Sequence, residues 1–143
     1  MKSKVLIHME TVFDKNGEFE DRMVFFTEGE MEKCAGAYCY HYDESALYPS
    51  SEELVGMLEI GDGYVTRSVS GMESYVMHFR EHHRDRVVLD SDYGPLKLTL
   101  LTEKIDSNLV EGLGKVKLTY QVIFAQTNKM MNEITITIEG QKQ

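Results

Sequence analysis

The sequence predicts an all-β protein, a single antiparallel meander β-barrel of about eight to ten strands with little helix. Apolar and polar residues alternate with a period of two along most of the chain. Turns rich in Gly, Asn and Asp separate the alternating runs, and helical periodicity is nearly absent. A sheet of this many strands twists until it splits into two layers or closes, and closure also removes aggregation-prone edges. A closed barrel is therefore the expected architecture.

The alternation predicts the strands in order, because residues two apart lie on the same face of a sheet. The predicted runs cover residues 5–13, 23–27, 32–42, 54–60, 64–68, 75–79, 87–93, 96–100, 116–124 and 134–138. One alternative stays open, because Ser50-Ser51-Glu52-Glu53 is a capping-box pattern that would begin a short helix through Leu58. The inward face is expected to carry Ile7, Met9, Leu58, Ile60, Met77, Phe79, Leu98, Leu100, Leu118, Tyr120, Ile136 and Ile138.

The composition and charge are those of one globular domain that spans residues 1–143. The 15 Lys and Arg residues against 24 Asp and Glu residues give a formal net charge of −9. This charge repels phosphate backbones and anionic lipids, which disfavours nucleic acids and membrane surfaces as partners. No apolar run approaches transmembrane length, and His8 and Glu10 interrupt the N-terminal apolar residues, so no signal peptide is expected. We therefore expect a cytoplasmic protein.

Two cysteines, Cys34 and Cys39, fall within the third predicted run. Their opposite parity would place them on opposite faces of one strand, roughly 16 Å apart along its axis. A disulfide cannot span that distance within a regular strand, so two reduced thiols are expected, as is usual in the cytosol.

One motif suggests a metal site, because His78-Phe79-Arg80-Glu81-His82 fits the H-x-x-E-H pattern of zinc metallopeptidases. Two histidines four apart converge on one zinc ion only on a helix, whereas on a strand they stand roughly 13 Å apart. The segment alternates as a strand, which favours a charged hairpin turn over residues 81–86. The sequence also lacks a G-x-S-x-G elbow and a Gly-rich phosphate loop. Neither an enzyme nor a metal ion or other cofactor is expected.

Short motifs along nearly the whole chain resemble one protein family. In chain order they are Tyr38, Tyr40, Tyr42-Asp43-Glu44, Leu58-Glu59-Ile60, Val65-Thr66-Arg67, Ser91-Asp92-Tyr93-Gly94, Thr102, Gly114, Tyr120 and Asn132. In this order and spacing the chain resembles the YwiB-like proteins, a bacterial family of unknown function, and it departs from their pattern at Val69, His83 and Leu89. The resemblance implies a calycin-like, lipocalin-type β-barrel. The family has no assigned activity, so the resemblance leaves function open.

The tyrosine-rich run carries the first candidate ligand-binding residues, because Tyr38, Tyr40 and Tyr42 share one face of a strand. Tyrosine rings combine an apolar body with a polar hydroxyl. Three alternatives stay open for them: packing in the core or on the surface, lining a pocket, or forming an interface with another subunit.

A further candidate is Arg67, which lies between two valines on the same face of its strand, an unusual place for a solvated charge. Its side chain either snorkels to water or stands at the barrel mouth, paired with Asp43 or Glu44. In the second arrangement Arg67, Glu44, Tyr120 and the tyrosine-rich run would form a site for the carboxylate of an amphipathic ligand.

Two functions of different classes remain. The first is a non-catalytic binder of a small, partly apolar ligand in the barrel interior. The second is a solid barrel that acts as a protein-interaction or self-association module, for example as a homodimer. A continuous internal cavity with a polar group pointing into it would favour the binder, whereas a filled interior with a flat apolar patch would favour the interaction module.

Overall fold

Within the described residues, ten antiparallel strands form one sheet in a computed structural model of the protein. The structure describes residues 2–18, 20–43, 55–70, 75–91, 94–124 and 128–141. The strands are β1 (Lys2–Phe13), β2 (Asp21–Cys34), β3 (Ala37–Asp43), β4 (Val55–Gly61), β5 (Tyr64–Ser70), β6 (Tyr75–Arg80), β7 (Arg84–Ser91), β8 (Gly94–Ser107), β9 (Gly114–Phe124) and β10 (Asn128–Gly140). These residues contain no helix, and the predicted all-β fold is confirmed.

The sheet is a meander that almost closes on itself. Its strands lie in the order β6-β5-β4-β3-β2-β1-β10-β9-β8-β7, and each neighbouring pair is antiparallel. The pairing of β1 with β10 brings the two ends of the chain together and leaves β6 and β7 as the sheet edges. Because β6 and β7 follow each other in the chain, the two edges meet at one corner. The result is a nearly closed ten-stranded barrel.

The seam between β6 and β7 is bridged without a strand ladder. The turn between them bonds to β8 instead: the His82 backbone N–H donates to the Thr102 carbonyl at 2.7 Å, and the Thr102 N–H donates to the His83 carbonyl at 3.2 Å. Across the seam, the His78 backbone N–H donates to the Asp85 carboxylate at 3.0 Å. A turn is present at residues 81–83, but the prediction of a hairpin turn over residues 81–86 is wrong, because residues 84–86 belong to β7 and β6 does not pair with β7 in the described sheet.

The core consists of the side chains that strand alternation points into the barrel. On β9, for example, Val116, Leu118 and Tyr120 are buried, whereas Lys115 and Lys117, which alternate with them, are exposed. The predicted inward face is confirmed: its residues are all buried except Met77 and Leu98, which are partly buried and pack against the core.

The prediction of a single strand over residues 32–42 is wrong, because a hairpin divides this segment. β2 continues to Cys34 and β3 begins at Ala37, which leaves Ala35 and Gly36 as a two-residue turn. Gly36 takes a φ of +76°, a conformation that glycine adopts without steric cost. The expected separation of the cysteines is wrong for the same reason, since the Sγ atoms of Cys34 and Cys39 lie 2.7 Å apart across the hairpin.

The sequence leaves open whether a strand or a short helix leads to Leu58. The described part of this segment forms strand β4, so Leu58 lies in a strand and not in a helix. The capping-box residues 50–53 lie outside the described residues. In the part of the chain that the structure describes, no helix has the length and apolar character needed to cross a membrane.

Candidate ligand-binding site

The barrel interior holds a cavity of about 400 Å³. Most of its wall is apolar, with Met9, Met23, Phe25, Met77, Leu96, Leu98, Val122, Met130 and Ile134 among the lining residues. Four of the nine methionines of the chain are in this set, and their flexible thioether side chains suit an irregular apolar space. The volume falls within the range of roughly 300 to 1,000 Å³ that is typical of small-molecule pockets.

The cavity reaches from the protein surface to the core. Met23 and Leu96 line it and are 43% and 49% exposed, so they mark the side that faces solvent. Tyr120, Asn132 and Ile134 line it as well and are buried, so they form its inner end. A ligand could therefore enter past the exposed residues and place one end against the buried ones.

Arg67 is the only charged residue among the described lining residues of the cavity. Strand β5 positions it: Val65 and Val69 are buried in the core, and alternation places Arg67 on the same face. Its cross-strand neighbours are Leu58 and Met77. The half-buried Arg67 side chain therefore has apolar cross-strand neighbours, a setting in which a charged group needs anionic or hydrogen-bonding partners.

Tyr120 and Asn132 are among the uncharged polar residues that line the same cavity, and they face each other across the β9–β10 ladder. The Asn132 Oδ1 accepts a hydrogen bond of 3.1 Å from the backbone N–H of Asp14, which leaves the amide nitrogen to donate to the Tyr120 hydroxyl. Burial raises the pKa of Tyr120, while the Asn132 hydrogen bond and the Arg67 charge act in the opposite direction. Because the pKa stays above its ordinary value, the hydroxyl keeps its proton at neutral pH and can donate it.

Two aromatic pairs support the cavity wall. The ring of Phe79 meets that of Tyr120 edge-on, with 5.0 Å between the centroids. The rings of Phe25 and Tyr42 are tilted, with centroids 6.1 Å apart. Tyr42 does not line the cavity itself, but it supports Phe25, which does.

The other two tyrosines of β3 contact a different part of the molecule. Tyr40 is fully buried, and its hydroxyl donates a hydrogen bond of 2.7 Å to the carbonyl of Gly112 in the loop between β8 and β9. Tyr38 lies beside the same glycine, because a Cβ atom placed on Gly112 would come within 2.8 Å of the Tyr38 ring. The structure thus brings Arg67 and Tyr120 together, with Tyr42 behind the wall, and places Tyr38 and Tyr40 elsewhere.

The acidic partners expected for Arg67 do not line the cavity in the described structure. Asp43 is exposed and lines a separate surface recess together with Lys4, His41 and Tyr42. Glu44 lies outside the described residues.

Asn132 is a polar lining residue that the sequence interpretation did not include among the site residues. It is 4% exposed and has the same parity in β10 as Ile134 and Ile136, which are core residues. A polar side chain at a position predicted to face inward is the signal that would have found it, because buried polar groups need hydrogen-bond partners.

The histidines of the H-x-x-E-H pattern lie on different elements: His78 is in β6 and His82 is in the following turn. Among the described residues, no group of three or more His, Cys, Asp or Glu side chains is arranged to hold a metal ion.

A family model, described as a domain of unknown function (DUF1934), matches residues 7–138 of the chain. The chain belongs to this family. The crystal structure of the ywiB protein from Bacillus subtilis is similar to this DUF1934 chain, with a TM-score of 0.78 at 19% sequence identity, over 99% of this chain and 94% of that chain. A comparison with curated proteins gives no match.

The YwiB-like resemblance is therefore confirmed, and the low identity means that the structural likeness speaks for the fold alone. All the lining residues named above lie between residues 9 and 134, within the range that the DUF1934 model matches. The cavity is thus built from the family domain itself.

Proposed function

We propose that this DUF1934 protein is a non-catalytic binder of a small amphipathic molecule, held in the barrel interior with an anionic head at Arg67. The observation that carries the proposal is a mostly apolar cavity of about 400 Å³ lined by a single described cation. Ligand pockets commonly combine an apolar wall with a few polar groups that fix orientation.

The apolar wall favours a ligand with a hydrocarbon body. Each methylene that leaves water contributes about 0.8 kcal/mol, so a chain of several carbons supplies most of the binding free energy. The methionines of the wall can adjust to bodies of different shape. We therefore expect the cavity to bind several ligands whose apolar bodies have a suitable length, and not one exact chemical structure.

The polar groups favour a carboxylate head. A guanidinium group can hold both oxygens of a carboxylate at once, and the protonated Tyr120 hydroxyl is a further donor. The net charge of −9 repels anions in general, so the attraction has to come from Arg67 acting at short range inside the cavity.

The second candidate function, self-association through an outer face, is favoured by two exposed apolar residues of β2. Val24 and Phe26 are 60% and 59% exposed and lie two residues apart on the same face. A second copy of the chain covering this face would form a homodimer. Analytical ultracentrifugation of the wild type and of Phe26→Ser would detect it, since only the wild type should dimerise.

The binding proposal is tested with a matched pair of ligands and a matched pair of variants. Decanoate and 1-decanol share the apolar body and differ in the head, and calorimetric titration measures the affinity of each. Arg67→Met removes the cation from the cavity, and Arg86→Met removes an exposed arginine from β7 as the control. Native mass spectrometry of the protein purified from cells shows whether a ligand is retained.

Wild type and Arg86→Met should bind decanoate at one site per chain. Arg67→Met should weaken decanoate binding by about 10- to 100-fold, the effect of one charged hydrogen-bonded contact, and should change decanol binding by less than about threefold. The proposal is wrong if neither ligand shows saturable binding, or if the two arginine variants bind decanoate equally well.

A further inference from the structure

The hairpin between β2 and β3 brings the two cysteines of the chain together, on the face of the sheet opposite to Tyr38 and Tyr40. Cys34 is the last residue of β2 and pairs with Ala37, and Cys39 lies two residues further along the same face of β3. Both are free thiols, and their Sγ atoms are 2.7 Å apart. An S–S bond is about 2.05 Å long, so the sulfur atoms need to approach by only about 0.7 Å to be joined.

The two thiols have different surroundings. Cys34 is partly exposed, whereas Cys39 is buried and 7% exposed. The Cys39 thiol donates to the Glu59 Oε1 at 3.8 Å, and the Tyr64 hydroxyl donates to the Glu59 Oε2 at 2.9 Å. Burial, the neighbouring Cys34 and the Glu59 carboxylate raise the pKa of Cys39 to about 12. A reagent from solution therefore reacts with Cys34 first, while Cys39 remains a protonated thiol beside the Glu59 carboxylate.

We propose that Cys34 and Cys39 form a reversible redox site, which low-molecular-weight disulfides oxidise to an intramolecular disulfide across the β2–β3 hairpin. The juxtaposition of the two sulfur atoms carries this inference, and it does not depend on the ligand-binding proposal.

The reaction proceeds by two thiol–disulfide exchanges. The Cys34 thiolate attacks one sulfur of a small disulfide RSSR, the S–S bond of RSSR breaks, and one RS⁻ leaves and takes up the Cys34 proton. The Cys39 sulfur then attacks the Cys34 Sγ, its proton passes to Glu59, and the second small thiolate leaves and is protonated in turn. Overall, two protein thiols are oxidised and one small disulfide is reduced to two thiols.

The geometry assigns Glu59 a positioning and proton-accepting role in the second exchange only. Its carboxylate is held toward Cys39 by the Tyr64 hydroxyl and has no described contact with Cys34. Glu59→Gln keeps an acceptor for Tyr64 but cannot take a proton, so it should slow the second exchange and leave the first unchanged.

The test uses the full chain and oxidised glutathione as the probe. The protein is incubated with the probe, denatured, alkylated with iodoacetamide and weighed by intact-mass spectrometry. Reduced wild type should take up one alkyl group on each of its two cysteines, and oxidised wild type should take up none and retain no glutathione. Dithiothreitol should restore both alkylation sites.

Three variants separate the steps. Cys39→Ser should stop with one glutathione bound to Cys34, and Cys34→Ser should react about tenfold more slowly because the remaining thiol is buried with a raised pKa. Glu59→Gln should accumulate the mixed disulfide and resolve it about tenfold more slowly than the wild type. The redox site is refuted if oxidised wild type retains glutathione or forms a disulfide between two chains, and the role of Glu59 is refuted if Glu59→Gln resolves at the wild-type rate.

Discussion

The hydroxyl of Tyr40 donates a hydrogen bond of 2.7 Å to the carbonyl oxygen of Gly112, 72 residues further along the chain. Tyr40 is fully buried in β3, and Gly112 belongs to the loop between β8 and β9. The bond therefore ties β3 to the loop between β8 and β9, two strands with which β3 does not pair in the described sheet. Burial raises the pKa of Tyr40, so its hydroxyl remains a donor throughout the ordinary pH range.

Removing this hydroxyl should destabilise the protein. Tyr40→Phe keeps the ring and leaves the buried Gly112 carbonyl without its donor, which should lower the free energy of unfolding by about 1 to 3 kcal/mol. Tyr38→Phe is the control, because Tyr38 is partly exposed. This substitution should lower the free energy of unfolding by less than about 0.5 kcal/mol. Urea denaturation measures both, and equal losses would contradict the structural role of the Tyr40 hydroxyl.

A side chain at Gly112 should be far more costly than one at Gly36. Both glycines have positive φ, +80° and +76°. A Cβ atom at position 112 would lie 2.5 Å from the Met31 Sδ, whereas one at position 36 would meet nothing within 4 Å. Gly36→Ala should therefore cost about 1 kcal/mol for its backbone conformation, and Gly112→Ala a further 1 to 3 kcal/mol for overpacking. Similar costs would show that the loop moves freely away from Met31.

The strands that could be predicted are those whose inward faces carry large apolar side chains without interruption. β9 and β10 are examples, with Val116, Leu118, Ile134 and Ile136 all buried. Residues 28–31 of β2 escaped prediction because the inward face there includes Gly29. A Cβ atom there would lie 2.8 Å from the His41 carbonyl oxygen, so close packing excludes the apolar side chain that would have marked the strand.

The candidate site could be predicted in part. The inward direction of Arg67 follows from its parity with buried valines, and Tyr120 is inward by the same rule. Whether inward residues fill a barrel or leave a cavity depends on strand tilt and stagger, which are set by pairings distant in sequence. The approach of Cys34 to Cys39 likewise depends on a two-residue turn that alternation alone does not locate.

The two faces of the sheet should respond differently to truncation. Leu118→Ala removes a fully buried side chain from the core and should cost about 2 to 5 kcal/mol, since it leaves a cavity. Thr135→Ala, on the opposite face of the adjacent strand, should cost less than about 1 kcal/mol. Thermal and urea denaturation give both values, and comparable costs would mean that the outer face is also covered.

Stability at acidic pH should depend on Glu133. Although burial raises the pKa of its carboxyl group, the hydrogen bond from Lys15 and the charge of Lys117, whose Nζ lies 3.4 Å from the Glu133 Oε1, outweigh burial and lower it below 4.5. The unfolded chain then binds the Glu133 proton more readily than the folded chain does. The ionised Glu133 therefore contributes fully to the free energy of unfolding above about pH 5, and this contribution disappears as the pH falls through the lowered pKa.

Glu133→Gln should therefore be less stable than the wild type by about 1 kcal/mol at pH 7, and this difference should shrink as the pH falls from 7 through the lowered pKa of Glu133. Glu139→Gln, an exposed neighbour on β10, serves as the control and should follow the wild-type curve. Urea denaturation over this pH range measures the three curves. A difference for Glu133→Gln that stays constant with pH would rule out the ion pairs as its source.

The corner between β6 and β7 should become more stable with glycine at position 82. His82 has a φ of +63°, which costs a residue with a Cβ atom roughly 1 to 2 kcal/mol, and its backbone N–H is fixed by the Thr102 carbonyl. His82→Gly removes that cost but adds unfolded-chain entropy worth about 0.4 to 1 kcal/mol, so a net gain of about 0.5 kcal/mol is expected. His83→Gly should instead lose stability, because His83 lacks a positive φ and its Nδ1 contacts the Glu81 carbonyl at 3.0 Å. Urea denaturation measures the free energy of unfolding of both variants. If both variants gain or both lose stability, the backbone conformation at His82 does not limit the stability of the protein.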